Sequence, residues 1–212
     1  VPHLTRRMLG VALPLAVSAY ARTSLSTLEH LLVPRGLKSA GFSADRALSG
    51  YGVIQGMALP VVTFPSCLLY SLAELLVPEL TAAQVSGKTD EIRRMVKSLL
   101  YKCLLFAAVT ATLLLVFAGK LGELIYHSEE AGNYIRLLAP VIPVMYLDTA
   151  VDCMLKGMDE QLSVMRYNVA DAAISMVLVY LLLPVLGIKG YILVIVLSEV
   201  FNFSLSLGRL IR

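Results

Sequence analysis

The sequence predicts an all-α protein: a polytopic transmembrane helix bundle with about six spans. Two observations carry this. The chain is 58% hydrophobic and only 16% charged over its 212 residues, with a mean hydropathy of +0.77. A soluble domain needs roughly 25% charged residues to cover its surface, so the solvent that fits this surface is lipid. The apolar residues also gather into long runs, and a helix needs about 20 such residues to cross the hydrocarbon layer. Strands do not fit, because the runs are too long and lack two-residue alternation.

The expected spans are residues 8–33, 48–77, 95–119, 134–158, 163–186 and 190–211. Pro34 and Pro78 each follow Leu-Leu-Val and are expected to mark helix ends. Pro184, Gly187 and Gly190 are expected to form the last tight turn. The second span is long enough to be tilted or broken, and it contains Pro60 and Pro65. The fourth contains Pro140 and Pro143. Each proline removes a helical hydrogen bond, so kinks are expected at both pairs, as in helices that line a transport cavity. Residues 79–94 and 120–133 read as polar connections, with Tyr126 as an interfacial anchor.

Lysines and arginines give the orientation. With the N-terminus in the cytoplasm, the inside set is Arg6, Arg7, Lys88, Arg93, Arg94, Lys97, Lys156, Arg166, Arg209 and Arg212. The outside set is Arg35, Lys38, Arg46, Lys120, Arg136 and Lys189. Ten against six predicts both ends cytoplasmic.

Several short motifs point elsewhere but do not hold. Arg6-Arg7 with Ala19-Tyr20-Ala21 imitates a secretory signal, but the helical pattern continues to Val33. Ser86-Gly87-Lys88-Thr89 resembles the end of a phosphate loop, but Ala82 stands where that motif needs glycine. Gly52-x-x-x-Gly56 reads as a close-packing helix face. Asn202-Phe203-Ser204 is a glycosylation sequon inside a span and is discounted. Cys67, Cys103 and Cys153 fit apolar core positions rather than a disulfide or zinc framework. His3, His30 and His127 are scattered, and no metal site is expected. No basic block suggests nucleic acid, and no catalytic constellation suggests an enzyme.

Charges within spans are costly, roughly 2.5–3.5 kcal/mol at the bilayer centre. Arg22, Glu29, Asp148, Asp171 and Glu199 are therefore expected to face a cavity or pair. Counted at about 1.5 Å per residue, Asp171 and Asp148 lie at similar depth and can share one site. Arg22 and Glu199 also fall at similar depth and can pair. Asp152 and Glu29 fall nearer the interfaces, where Lys156 is a partner for Asp152. Asn168-Asp171-Ser175 makes a polar stripe on one helical face, suited to a cavity wall, an oxygen-ligated cation or helix–helix hydrogen bonds.

One family shares these features. Leu31-Leu-Val-Pro-Arg-Gly-Leu37, Tyr51-Gly-Val-Ile-Gln-Gly-Met-Ala-Leu-Pro60, Phe64-Pro-Ser66 and Leu76-Val-Pro-Glu-Leu80 carry the likeness. So do Leu138-Ala-Pro-Val-Ile-Pro-Val-Met-Tyr-Leu-Asp148, Met154-Leu-Lys-Gly157 and Leu183-Pro-Val-Leu-Gly-Ile-Lys-Gly-Tyr191. Together they resemble the C-terminal half of the stage V sporulation protein B group of polysaccharide flippases, in the superfamily of multidrug, oligosaccharidyl-lipid and polysaccharide exporters.

The resemblance implies two lobes of six helices around a central cavity, working by alternating access. Residues 1–212 would be the C-terminal lobe, and the chain, which begins at Val1, is expected to be part of a longer transporter. The implied substrate is an undecaprenyl-linked saccharide, moved for cell-envelope or spore cortex peptidoglycan synthesis. The implied location is the bacterial plasma membrane, and the implied partner is an N-terminal six-helix half. No cofactor is implied beyond a coupling ion, sodium or proton. Relatives carry cation-binding acids on the first, fourth or fifth helix of this lobe, and Glu29, Asp148, Asn168 and Asp171 are the matching candidates. Two other readings stand beside this one: a drug/cation antiporter of the same fold, and a membrane scaffold without transport. Arginine or lysine in the cavity favours a pyrophosphate head group, whereas acids favour cationic drugs.

Overall fold

The computed structural model describes residues 2–41 and 43–211. Arg212 lies outside the described residues, as do the side chains of Arg6 and Arg7, three of the charges from which the orientation is expected. The described chain forms nine α-helices: α1 (Pro2–Ser39), α2 (Ala44–Val53), α3 (Leu59–Thr63), α4 (Ser66–Val85), α5 (Thr89–Tyr126), α6 (Glu129–Leu138), α7 (Ile142–Gly157), α8 (Gln161–Leu186) and α9 (Ile188–Ile211). A π-helical turn, Ile54–Ala58, joins α2 to α3, and a 3-10 turn, Ala139–Val141, joins α6 to α7. Taken with these junctions, the helices make six long rods, as an all-α membrane bundle requires.

Five segments are long and apolar enough to cross a membrane: Ser66–Val85, Thr89–Tyr126, Glu129–Gly157, Gln161–Leu186 and Ile188–Ile211. The expected second span, 48–77, is divided by the π turn and by Phe64-Pro65, so its straight apolar part is α4. α1 carries Arg22, Glu29 and Arg35 and is less apolar than the other rods. It packs along α8.

The bundle is apolar outside. Tyr101, Val116 and Leu124 on α5 and Val177, Tyr180 and Leu181 on α8 are exposed. The buried polar residues are Thr110, Asp148, Asn168, Ser175, Asn202 and Ser206. An apolar exterior around an apolar core that holds a few polar groups suits a lipid solvent.

Local chemistry sets the helix starts. Ser43 accepts from the Arg46 amide at 3.4 Å and Ser128 from the Ala131 amide at 3.2 Å. Asp45, Glu129 and Glu130 sit in the first turns of those helices, where the positive end of the dipole favours them. α5 has 38 residues, or about 57 Å of helix, which outruns the roughly 30 Å hydrocarbon layer. Its polar first turns are therefore a helical extension. The expected connection 79–94 is the end of α4, the turn at Ser86–Lys88 and the start of α5. Likewise 120–133 belongs mostly to α5 and α6.

Four expectations about helix ends and packing are corrected. Pro34 lies inside α1 and Pro78 inside α4, and neither helix stops there. In apolar surroundings the turns on either side keep their hydrogen bonds, and breaking the helix would expose more unpaired backbone than one proline does. Pro184 also lies inside α8, which ends at Gly187 with φ of 59°. Gly52 and Gly56 are not a packing face within this chain, because a Cβ at either would meet nothing within 4 Å. The close approach is at Gly122 and Gly132, where α5 crosses α6: a Cβ on Gly122 would lie 2.4 Å from the Gly132 nitrogen. Cys103 and Cys153 are buried, but Cys67 is exposed rather than in the core.

The kinks fall at the proline pairs. Pro60 has no amide to bond the Gly56 carbonyl, and the Leu59 amide reaches back five residues to the Ile54 carbonyl. Phe64-Pro65 forms the turn between α3 and α4, and Pro140 sits in the 3-10 turn with Pro143 at the start of α7. The two breaks are tied together. The buried Tyr146 hydroxyl donates to the Val62 carbonyl at 2.8 Å, and its ring stacks on Phe106 with centroids 6.2 Å apart. α7 thus occupies the centre, against α4 and α5 on one side and α8 and α9 on the other.

Candidate functional site: two adjoining polar cavities

Three helices bring polar stripes to one place. α7 carries Asp148 and Asp152 one turn apart. α8 carries Asn168, Asp171 and Ser175, and α9 carries Ser198, Asn202 and Ser206. Spacings of three and four residues keep each set on one face. Asn202 Nδ2 donates to Asp148 Oδ2 at 2.9 Å, and Ser198 Oγ donates to Asp171 Oδ1 at 2.6 Å. Ser206 Oγ donates to Asp152 Oδ1 at 3.1 Å, and Asn168 Nδ2 contacts Asp152 Oδ2 at 3.4 Å. Each acid on α7 and α8 therefore has a neutral donor on a neighbouring helix.

Asp148, Asp152, Asn168, Asp171 and Asn202 line a cavity of about 230 Å³ together with Arg22, Lys156 and Glu199. A second cavity of about 420 Å³ shares Arg22, Asn168, Asp171 and Glu199 and adds Ser26, Glu29, Gln55, Ser175 and Tyr191. At its far wall Gln55, which the π turn carries, donates from Nε2 to the Tyr191 hydroxyl. Tyr51 sits edge-on to Tyr191 and is hydrogen bonded to His30 Nδ1.

All six expected site residues, Arg22, Glu29, Asp148, Asn168, Asp171 and Glu199, therefore lie on the walls of these cavities. Asp148 and Asp171 both line the first. Their arrangement differs from expectation in two ways. Arg22 and Glu199 share both cavities without an ion pair. Asp152 bonds to α8 and α9 rather than pairing with Lys156. Among the described residues the ion pairs within 4.0 Å are Lys88–Glu91 and Arg209–Glu160.

Asn202, Ser198, Ser206 and Asp152 were not singled out as site residues from sequence. The signal was present: Ser198, Asn202 and Ser206 recur every four residues along an otherwise apolar helix, the same test that finds the α8 stripe.

The first cavity carries four acids against two bases and opens between α1, α4, α7, α8 and α9. It is a polar, charged compartment inside a bundle whose outer surface is apolar. Below it, outside the apolar core, Arg209 Nε donates to Glu160 Oε2 at 3.1 Å. Arg209, and then the Ser163 hydroxyl, hold the Glu160 carboxyl below the usual carboxylate range.

Comparison with known proteins agrees with this architecture. The chain is 27% identical to "Stage V sporulation protein B" of Bacillus subtilis (strain 168), over 92% of its own length and 38% of that protein's. It is 26% identical to "Sporulation protein YkvU" of the same organism, over 84% of its own length and 40% of that protein's. The chain thus spans about two-fifths of the length of these curated relatives. No solved structure matches it. The MatE family model matches residues 39–181, from the end of α1 into α8, and the chain belongs to the MatE family.

Proposed function

We propose that this chain is one lobe of a membrane exporter that flips a lipid-linked oligosaccharide or peptidoglycan precursor. The observation that carries the reading is the charged cavity pair in a bundle whose outer surface is apolar. Charges on this scale are tolerated in a membrane where water or a substrate meets them. The cavities of about 230 and 420 Å³ hold less than a lipid-linked saccharide head group, so a facing wall is needed. An N-terminal six-helix half of the same protein is that wall.

Arg22 belongs to both cavities and is the group that would meet a pyrophosphate. The acids are the seat of the coupling ion, and the cycle is alternating access, in which the ion biases one conformation by its differential affinity. Both chain ends lie in the cytoplasm, with Ser39 outside and Ser86 inside. The sporulation proteins to which the chain is similar favour a role in spore cortex or envelope synthesis in a bacterial plasma membrane.

The excess of acids over bases favours a second reading, a drug/cation antiporter. Proteoliposomes carrying the full-length protein separate the two. Flipping of a fluorescent undecaprenyl-pyrophosphate saccharide that falls at least tenfold in Arg22→Gln is the expected result. Efflux of a cationic dye with no saccharide flipping would install the antiporter instead.

A further inference from the structure

The outward face of α5 changes character in the order that a bilayer does. Arg93, Arg94 and Lys97 are exposed. Tyr101 follows at 69% exposed, then Leu104 and Leu105 at 47% and 57%. Steps of three, four and seven residues put these six side chains on one side of the helix. The other side carries Ile92, Met95, Val96, Leu99 and Cys103, which pack into the bundle. Charge, ring and aliphatic chain therefore succeed one another along a face that stays open among the described residues.

Helix length sets the depth of each group. Lys102 and Lys120 bracket residues 103–119, an uncharged stretch of about 26 Å. With two long side chains reaching outward at its ends, that stretch fills the roughly 30 Å hydrocarbon layer. Tyr101 then sits at the edge of the hydrocarbon, with Lys97 about 7 Å and Arg93 about 14 Å beyond Lys102. The head-group layer is roughly 5–7 Å deep on each side, and a charge is felt for about 8–10 Å past it. All three cations fall within that reach.

The cations are also available. Lys88 is paired with Glu91 at 3.2 Å, but among the described residues no carboxylate lies within 4.0 Å of Arg93, Arg94 or Lys97. Asp90 is on the same side, farther from the hydrocarbon, and offsets one charge of the three.

We propose that Arg93, Arg94, Lys97 and Tyr101 form a binding face for an anionic phospholipid. Its phosphate meets the cations, its glycerol region lies against the tyrosine ring, and an acyl chain runs down Leu104 and Leu105. The lipid belongs to the leaflet that meets the N-terminal end of α5. A zwitterionic lipid brings the same phosphate with an ammonium beside it, which the cations repel. A soluble anion would use the cations alone and leave the ring and the two leucines without a role. The site needs only that α5 spans a membrane, so it stands apart from what the protein transports.

Fluorescence quenching in the full-length protein tests this without a transport measurement. The 212 residues contain no tryptophan, so Tyr101→Trp, with tryptophans elsewhere in the protein replaced, places one reporter at the site. Bilayers mix a zwitterionic phospholipid with phosphatidylglycerol, either one brominated high on a chain. The two quenching curves give the relative affinity of the site for the anionic lipid. One cation near an anionic surface is worth roughly fivefold in affinity, so a preference of at least about fivefold is expected. It should fall to about one when Arg93→Gln, Arg94→Gln and Lys97→Gln are combined, and survive in Lys97→Arg. Salt at about 1 M, where screening acts within roughly 3 Å, should also bring it to about one. Inorganic phosphate at matched ionic strength should leave it in place. Equal affinity for the two lipids at low salt, or a preference that the triple variant keeps, overturns the proposal. Loss to phosphate but not to chloride overturns it too, since the face then takes a soluble anion. Should the triple variant not fold, the salt dependence in the unsubstituted face decides: a preference unchanged at about 1 M salt refutes the charge contact.

Discussion

Tyr146→Phe isolates the one bond that ties the two proline breaks together. Phenylalanine keeps the ring, its stack on Phe106 and nearly all its volume, so cavity terms are small. What disappears is the hydroxyl that donates to the Val62 carbonyl at 2.8 Å. Tyr146 is 1% exposed and Val62 is 0% exposed, so water does not replace the donor. A lost hydrogen bond with a buried acceptor left behind costs about 1–3 kcal/mol. The control is Tyr101→Phe on the lipid face, where Tyr101 is 69% exposed; its expected change is within about 0.5 kcal/mol. Equilibrium unfolding in mixed micelles gives both numbers. Amide hydrogen exchange over residues 58–68 gives a local one, since loosening the α3–α4 turn should speed exchange there more than in α9. If Tyr146→Phe matches Tyr101→Phe in stability and in exchange, the two kinks are not mechanically joined through this bond.

Two further outcomes can be checked with the same preparations. Gly122→Ala would force a Cβ to 2.4, 2.6 and 2.7 Å from backbone atoms of Gly132 and Ser128, so it should lose about 3 kcal/mol or more. Gly52→Ala meets open space and should be neutral or stabilising by up to about 1 kcal/mol; equal losses in both variants would contradict the packing described. The Glu160 carboxyl is held low by Arg209, so its contribution to stability is complete above the ordinary carboxylate range and is lost as pH falls through the depressed value. Thermal unfolding of the wild type should therefore weaken on acidification by more than that of Arg209→Gln, and parallel pH profiles for the two proteins would refute the clasp.

The six rods were readable because apolar run length is a physical requirement of the bilayer, and the kinks because each proline deletes a bond that can be counted. The α8 stripe was readable for the same kind of reason. Pro34 and Pro78 misled because a rule learnt from helices in water was applied to helices in lipid. There, water is not at hand to take up the backbone groups that a helix end exposes, so the helix runs on. Asp152 misled because i,i+4 spacing from Lys156 names a possible partner and cannot see Ser206 or Asn168 arriving from other helices. The Asp148–Asn202 pair lies 54 positions apart in sequence. Only the packing of α9 on α7 makes it a pair.

That packing places two devices on one short helix. Asp148 and Tyr146 are two residues apart on α7, so their side chains leave the axis in nearly opposite directions. One reaches α9 and the cavity, and the other reaches the broken α3. A 16-residue helix is too short to bend much between them, so α7 moves as a unit. Any event that draws Asp148 away from Asn202 must therefore also pull on the Val62 carbonyl, one residue from the end of α3. The proline breaks then give way first, because their backbone bonds are already missing. This makes a sharp prediction about order. A double variant, Asn202→Leu with Tyr146→Phe, should be less destabilised than the sum of its single variants, by about 0.5 kcal/mol or more, if both bonds hold the same rigid body. Strict additivity in mixed-micelle unfolding would mean that the cavity side and the kink side of α7 respond independently.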